Sequence, residues 1–111
     1  MTRVPRPPAL GRKVNLLSSW HSAQFWLLGK ALGWEFVQPL LVKLEKEEDG
    51  TLIVSDDVFA VYGVGDTESK AMQDYAVSLT DYYELLAERA REDDPATQAL
   101  FLRLQSYIRA V

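Results

Sequence analysis

The chain has no cysteine, a single histidine and no long uninterrupted hydrophobic run. Without cysteine it cannot form a disulfide, a thiolate metal site or a cysteine nucleophile, and a cytoplasmic location is expected. The lone His21 cannot build a histidine-rich metal site, and its place in an aromatic N-terminal segment argues against a Ser-His-Asp triad. No window reaches the roughly 18 apolar residues that a membrane-spanning helix needs, so no membrane association is expected.

Acidic residues are missing from the first part of the chain and abundant in the rest. Up to Lys30 there are five basic residues and no acid, whereas sixteen carboxylates and seven bases follow from Glu35 onward. The net charge of −4 does not suit a general nucleic-acid binder, which usually carries a basic face. The acidic body should repel nucleic acid and attract a basic protein partner. We place a boundary between Trp34 and Phe36.

Residues 1–35 are predicted to form a basic, tryptophan-rich N-terminal extension. Its prolines favour an extended start, and an apolar, aromatic run then predicts a helix from about Ser18 to Leu32. Trp20 and Trp26 either pack this helix on the body or anchor a partner, because tryptophan is enriched at interfaces. A third alternative is that translation starts downstream of this segment.

Residues 36–92 have the pattern of three antiparallel strands followed by a long helix. Apolar and polar residues alternate in the first strand, and the Asp49-Gly50 pair indicates a hairpin turn after it. A second run with strand composition follows the turn, and a third is rich in β-branched and aromatic residues. The predicted strands are Val37–Glu45, Thr51–Ser55 and Val58–Val64.

The predicted helix begins after Asp66 or Thr67 and ends near Arg91. Its apolar residues recur at spacings of three and four, which places them on one face. Tyr83 lies beside this face and is a candidate partner contact. The residues expected to pack on the sheet are Tyr75, Leu79 and Leu86.

Residues 93–111 predict a second helix at the C-terminus. Asp94 can cap this helix, and Pro95 suits its first turn because no amide donor is needed there. The apolar stripe of the helix either folds back on the domain or pairs with another chain. We expect pairing, and at least a homodimer, because a lone amphipathic helix leaves its apolar face exposed. The stripe consists of Leu100, Leu104, Tyr107, Ile108 and Val111.

The order of several short motifs resembles the HicB-like antitoxin family. An acidic-Gly turn, a Ser55-Asp56 element and a Gly65-Asp66-Thr67 step into a helix starting with Ala71 follow one another over residues 37–90. The resemblance implies a partial, catalytically inert RNase H-like fold that covers a small basic mRNA-cleaving toxin of the HicA type. Many family members also repress their own operon through a C-terminal DNA-binding element. Only one helix follows Glu92 here, so direct DNA binding is not expected.

The aspartates in this region could also suggest a metal-dependent nuclease. RNase H-type chemistry needs several strand-borne carboxylates that converge on two Mg²⁺ ions. Here Asp49, Asp56 and Asp57 lie in predicted turns, where aspartate is favoured for backbone reasons. Asp66 lies at a helix start for the same reason. We therefore expect no catalytic residue, no metal site, no cofactor and no enzyme activity.

The sequence thus predicts an α+β fold, in which a three-stranded antiparallel β-meander packs on one long helix, with an N-terminal extension and a C-terminal helix. The predicted function is non-catalytic, antitoxin-like binding of a small basic toxin. The alternatives are an accessory or assembly subunit of a larger complex and an RNase H-like nuclease. The residues expected to bind the partner are Glu47, Glu48, Asp49, Asp56, Asp57, Asp74, Asp81, Tyr83, Trp20 and Trp26.

Overall fold

A computed structural model of the protein describes residues 22–111. This part of the chain is an α+β fold with one antiparallel sheet and two helices. The strands are β1 (Ser22–Ala31), β2 (Trp34–Lys46), β3 (Leu52–Asp56), β4 (Tyr62–Gly65) and β5 (Ile108–Ala110). The helices α1 (Glu68–Arg89) and α2 (Pro95–Gln105) lie between β4 and β5 along the chain.

The long strand β2 organises the sheet, whose strand order is β1-β2-β3-β4. One side of β2 pairs with β1, and the other side pairs with β5 over residues 34–36 and with β3 over residues 42–46. The register between β1 and β2 shifts between Leu27 and Gly29. Pro39 lies opposite this irregularity, where its missing amide donor breaks no regular ladder bond.

The predicted helix over residues 18–32 is wrong wherever the structure describes it, because residues 22–31 form β1; residues 18–21 lie outside the described part. Pairing with β2 satisfies the backbone of β1 and directs Phe25 and Leu27 into the core. This long-range contact outweighs the local pattern that favoured a helix. The sheet consequently contains β1 and β5 in addition to the three predicted strands.

The turn between β1 and β2 explains part of this error. Leu32 and Gly33 both have positive φ angles, 56° and 81°. Two consecutive positive φ values are the signature of a two-residue type I′ hairpin turn. Gly33 would suit a helix C-terminus as well, since both structures need a residue that tolerates positive φ.

The β2–β3 hairpin at Asp49-Gly50 is confirmed, with Gly50 at a φ of 91°. The predicted third strand is only partly correct, because a turn occupies residues 57–59 and β4 begins at Tyr62. The Asp56 side chain accepts a hydrogen bond from the Phe59 backbone amide and holds this turn. Phe59 and Val61 are buried, so their strand-like composition reflects packing in the core rather than strand pairing.

The prediction for α1 is confirmed. Thr67 caps the helix by accepting a hydrogen bond from the Lys70 amide at 3.1 Å. Tyr75, Leu79 and Leu86 are buried beneath the helix, as expected. They join a single core between the helices and one face of the sheet, with Phe36, Leu40, Val42, Leu44 and Val54 on the sheet side.

Two glycines allow α1 to lie directly on β4. A Cβ atom on Gly63 would lie 2.1 Å from the Tyr75 backbone nitrogen, and one on Gly65 would lie 2.5 Å from the Ala71 nitrogen. Both distances are shorter than any van der Waals contact, and the obstructing atoms are backbone atoms that cannot rotate away. These glycines are therefore required by the close approach of the helix to the strand.

The C-terminal helix begins at Pro95 as predicted but ends at Gln105, and Ile108 lies in strand β5. Leu104 and Ile108 are fully buried by their own chain. Tyr107 packs edge-to-face on Phe59, with ring centroids 5.3 Å apart. The expectation that another chain covers this stripe is therefore wrong for its central residues, because the segment folds back on the domain. Leu100 and Val111 remain exposed.

We predict that Gly63→Ala destabilises the protein by about 3 kcal/mol or more, because the new methyl group overlaps the α1 backbone. Gly50→Ala is the matched control. Its Cβ meets no atom within 4 Å, so only the positive φ opposes the change, at about 1–2 kcal/mol. Chemical denaturation measures both values. Equal losses in the two variants would contradict the close packing of α1 on β4.

Candidate protein-binding surface

The acids at the β2–β3 turn are exposed, as predicted. Glu47, Glu48 and Asp49 extend from the end of the sheet into solvent. The Thr51 amide donates a hydrogen bond to the Asp49 carboxylate at 2.9 Å, and this bond lowers the pKa of Asp49. The turn is stabilised by the ionised form of Asp49, so its negative charge is maintained at neutral pH.

A second group of acids forms a line along the exposed side of α1. Asp81, Glu84 and Glu88 are separated by three and four residues, so they lie on one face, opposite the buried core residues. Asp74 continues the line toward the helix N-terminus. We call these four residues the acidic stripe. Glu84 and Glu88 were not among the predicted binding residues, although their helical spacing from Asp81 can be read from the sequence.

The acidic stripe is unfavourable for the helix itself. No basic residue of α1 lies three or four positions from Asp81, Glu84 or Glu88, whereas Glu84 and Glu88 are a like-charge i, i+4 pair. Glu88 also lies in the last turn of the helix, close to the negative end of its dipole. These charges therefore reduce the intrinsic stability of α1 instead of supporting it.

A shallow cavity of about 240 Å³ adjoins the stripe. The tip of the β1–β2 hairpin forms one wall, and α1 forms the other. The Trp34 indole donates a hydrogen bond to the Thr80 hydroxyl at 3.1 Å and links the base of the hairpin to the helix. The cavity is lined by Leu32, Ala76, Val77, Thr80 and Asp81. It places exposed apolar surface next to the carboxylates.

Asp56 is not part of the acidic surface, contrary to the prediction. Only 2% of the surface of Asp56 is exposed to solvent. One carboxylate oxygen accepts a hydrogen bond from the Phe59 backbone amide. The other accepts a hydrogen bond from the Tyr75 hydroxyl at 2.7 Å. Asp56 therefore joins the β3–β4 turn to α1. The neighbouring Asp57 is exposed and lies 3.6 Å from the ammonium group of Lys43.

Asp74 is exposed but has a structural partner. Its carboxylate accepts a hydrogen bond from the Val64 backbone amide in β4 at 2.9 Å. The side chain thus connects the outer strand of the sheet to the helix. This bond occupies one of its oxygens, so Asp81, Glu84 and Glu88 are the members of the stripe that are best placed to meet a partner.

The predicted aromatic anchors do not belong to the acidic stripe. Tyr83 packs between Trp34 and Phe101, with ring centroids 4.8 and 5.2 Å away, and contributes to the interior. Trp26 is 62% exposed but lies on the face of the sheet that points away from α1. Trp20 lies outside the described residues. The predicted set therefore does not form one continuous site.

Among residues 22–111, no three His, Asp or Glu side chains are grouped closely enough to hold a metal ion. Within the same part of the chain, no helix combines the length and apolarity needed to cross a membrane. Comparisons with protein-family models, curated proteins and solved structures give no match. Membership of the HicB-like family therefore stays a prediction.

We predict that stability falls as the pH rises above about 10, the usual tyrosine pKa. Burial and the adjacent Asp56 carboxylate raise the pKa of Tyr75. A raised pKa in the folded state means that the stabilisation is complete below the unfolded-state pKa and is lost above it. Tyr75→Phe should lose about 1–3 kcal/mol at neutral pH and show a shallower alkaline decline.

The exposed Tyr62 provides the control for this experiment, because Tyr62→Phe removes a hydroxyl from the protein surface. This variant should keep both the neutral stability and the alkaline decline of the original protein. Denaturant melts at a series of pH values measure the difference. An alkaline decline in Tyr75→Phe as steep as in the original protein would show that Tyr75 is not the responsible group.

Proposed function

We propose that the protein is a non-catalytic binding module for a small basic protein, of the kind that an antitoxin forms with a HicA-like mRNA-cleaving toxin. The observation that carries the proposal is the acidic stripe on α1 with an open apolar cavity beside it. The proposed binding surface consists of this stripe, the cavity and the turn acids Glu47, Glu48 and Asp49.

Charge supports a basic partner. Residues 22–111 contain sixteen carboxylates and eight lysine or arginine side chains. A surface with such an excess attracts an oppositely charged protein over distances of about 8 Å at physiological ionic strength. Attraction of this kind speeds association and suppresses partners of the wrong charge. It would distinguish a basic partner from nucleic acid, whose phosphates the same acids repel.

Apolar contact would supply much of the binding energy. Charged pairs at the edge of an interface contribute little, whereas apolar groups that become fully buried contribute most. Val77 is 58% exposed at the rim of the cavity, and Leu85 lies one turn past Asp81 and is also exposed. An apolar side chain of the partner would fill the cavity and bury Val77. Basic residues of the partner would at the same time lie over the stripe and neutralise its acids.

The instability that the stripe imposes on α1 is a further argument. Repulsion between glutamates and an unfavourable helix dipole reduce stability by a few tenths of a kcal/mol per pair. Binding sites commonly retain groups that are unfavourable for the free protein but are compensated in the complex. A basic partner would provide this compensation for Glu84 and Glu88.

A binding role also agrees with the position of Asp56. Hydrolysis of the RNase H type would require the acid at the end of this strand to bind metal. Both oxygens of Asp56 instead accept hydrogen bonds from Phe59 and Tyr75. A carboxylate with these partners acts as a structural link.

The first test is the coding neighbourhood, where a small basic reading frame next to the gene would supply the candidate partner. We predict that the two proteins co-purify and associate quickly at low salt. Glu84→Gln with Glu88→Gln should slow association several-fold while slightly raising the stability of the free protein. Reversal of Glu47, Glu48 and Asp49 to Lys should slow it about tenfold or more without loss of fold. Stopped-flow mixing gives the rates.

Glu92→Gln with Asp93→Asn is the matched control, since it removes two exposed charges beyond the end of α1. This variant should keep most of the original association rate. The proposal is wrong if the stripe and turn variants bind as quickly as the original protein at low salt. A stable complex with unchanged rates would instead favour an assembly subunit, and Mg²⁺-dependent RNA cleavage lost in Asp57→Asn would favour a nuclease.

A further inference from the structure

Within residues 22–111, no helix packs on the face of the sheet that points away from α1. Residues that pair across antiparallel strands share a face, and Trp26 pairs with Leu41 while Ile53 pairs with Val64. Trp26, Leu28 and Tyr62 are each 62% exposed. We define the open face by its apolar residues Trp26, Leu28, Leu41, Ile53, Tyr62 and Val64. Several large apolar side chains exposed on one face often mark an interaction site.

The two ends of the open face have opposite charge. At one end Lys30, Glu35 and Arg109 are neighbours across β1, β2 and β5. Arg109 binds Glu35 at 2.9 Å, which leaves Lys30 as the surplus positive charge. At the other end β2 carries Glu45, and Glu47 follows just beyond the end of the strand. Ten residues of strand separate Glu35 from Glu45, a distance of roughly 33 Å.

The middle of the open face is apolar and close to neutral. Lys43 is the basic residue of this face nearest to Glu45, and Asp57 pairs with it at 3.6 Å. Lys46 belongs to the alternate side of β2. Trp26, Leu28 and Leu41 lie about midway between the two charged ends. The face therefore has an apolar centre flanked by a positive end and a negative end.

We propose that a second copy of this chain covers the open face and forms a two-fold symmetric dimer. A two-fold axis in the plane between the sheets, perpendicular to the strands, places the β1–β2 hairpins over each other in opposite directions. Lys30 of each copy then lies over the Glu45 end of the other, and the apolar centres meet. Such an interface is self-complementary, as two-fold symmetry requires.

The charge pattern favours a second copy of this chain over a uniformly basic or uniformly acidic partner. A uniformly basic partner would be repelled at the end that carries Lys30 and Arg109, and an acidic one at the Glu45 end. The five strands contain 35 residues. At about 3.3 Å per residue and about 4.8 Å between strands they make a face of about 550 Å², smaller than the roughly 800 Å² per partner of a standard interface, so we expect a dimer of modest affinity. Aligned packing of two sheets is a common arrangement.

This inference does not depend on the acidic stripe, which lies on the other side of the molecule. Of the residues proposed to bind a basic partner, Glu47 also lies at the acidic end of the open face. The test is sedimentation velocity of the full chain over a concentration series into the tens of micromolar. The original protein should form a dimer. Trp26→Glu should abolish it, because the substitution places a charge at the apolar centre.

Charge exchange provides the sharper part of the test. Lys30→Glu and Glu45→Lys should each weaken the dimer about tenfold or more, because each change creates two like-charge contacts across the two-fold axis. The two substitutions combined in one chain should restore most of the affinity. A general loss of fold would not be repaired by a second charge change, so restoration reports the contact itself.

Leu100→Glu on α2 is the matched control. Leu100 is 46% exposed and belongs to the stripe that the sequence assigns to association. The variant should leave the dimer intact. The inference is overturned if the full chain stays monomeric throughout the series, if Trp26→Glu leaves the dimer unchanged, or if Leu100→Glu rather than Trp26→Glu dissociates it. Failure of Lys30→Glu with Glu45→Lys to restore association would overturn the proposed orientation.

Discussion

The contact between α1 and β4 determines most of the remaining structure. Gly63 and Gly65 leave no side chain between helix and strand, so the two backbones touch. The Asp74–Val64 hydrogen bond connects the same two elements, and the Tyr75–Asp56 hydrogen bond connects α1 to the end of β3. Together these contacts define both the height of α1 above the sheet and its rotation about its own axis. A helix held so closely can present only one side to solvent.

The rotation of α1 about its axis also determines which of its side chains form the proposed binding surface. With Tyr75 and Leu79 directed into the core, Asp81, Glu84 and Glu88 must point outward. The helix also covers one face of the sheet and leaves the other open. The protein therefore has two separate surfaces, an acidic one on the helix and an apolar one with charged ends on the sheet. A dimer through the sheet would leave both copies of the acidic stripe accessible.

The parts of the fold that depend on local sequence could be predicted. The alternation in β2, the Asp49-Gly50 turn and the amphipathic pattern of α1 each act within a few residues, and each was confirmed. Strands β1 and β5 could not be predicted in this way. Both exist because β2 supplies backbone partners, and β5 pairs with residues more than seventy positions earlier in the chain. Residue types near β1 fit a helix equally well until that pairing is known.

The same distinction between local sequence and long-range contacts applies to the candidate site. The acidic stripe follows from helical spacing and is readable in the sequence, but the cavity beside it needs Leu32 from the β1–β2 hairpin. Asp56 looked like an exposed turn residue because two of its contacts, to Phe59 and Tyr75, form only after the chain folds. Sequence therefore identified charges correctly and could not determine which of them the fold would bury.

The central claim is that α1 covers a single face of the sheet and that β1 and β2 direct alternate side chains to opposite faces. Hydroxyl-radical footprinting of the dilute protein tests it residue by residue. The account predicts rapid oxidation of Trp26 and Tyr62 and slow oxidation of Trp34 and Tyr75. A shift of one residue in strand register would exchange the two faces. Oxidation of Trp34 as fast as that of Trp26 would therefore contradict the account.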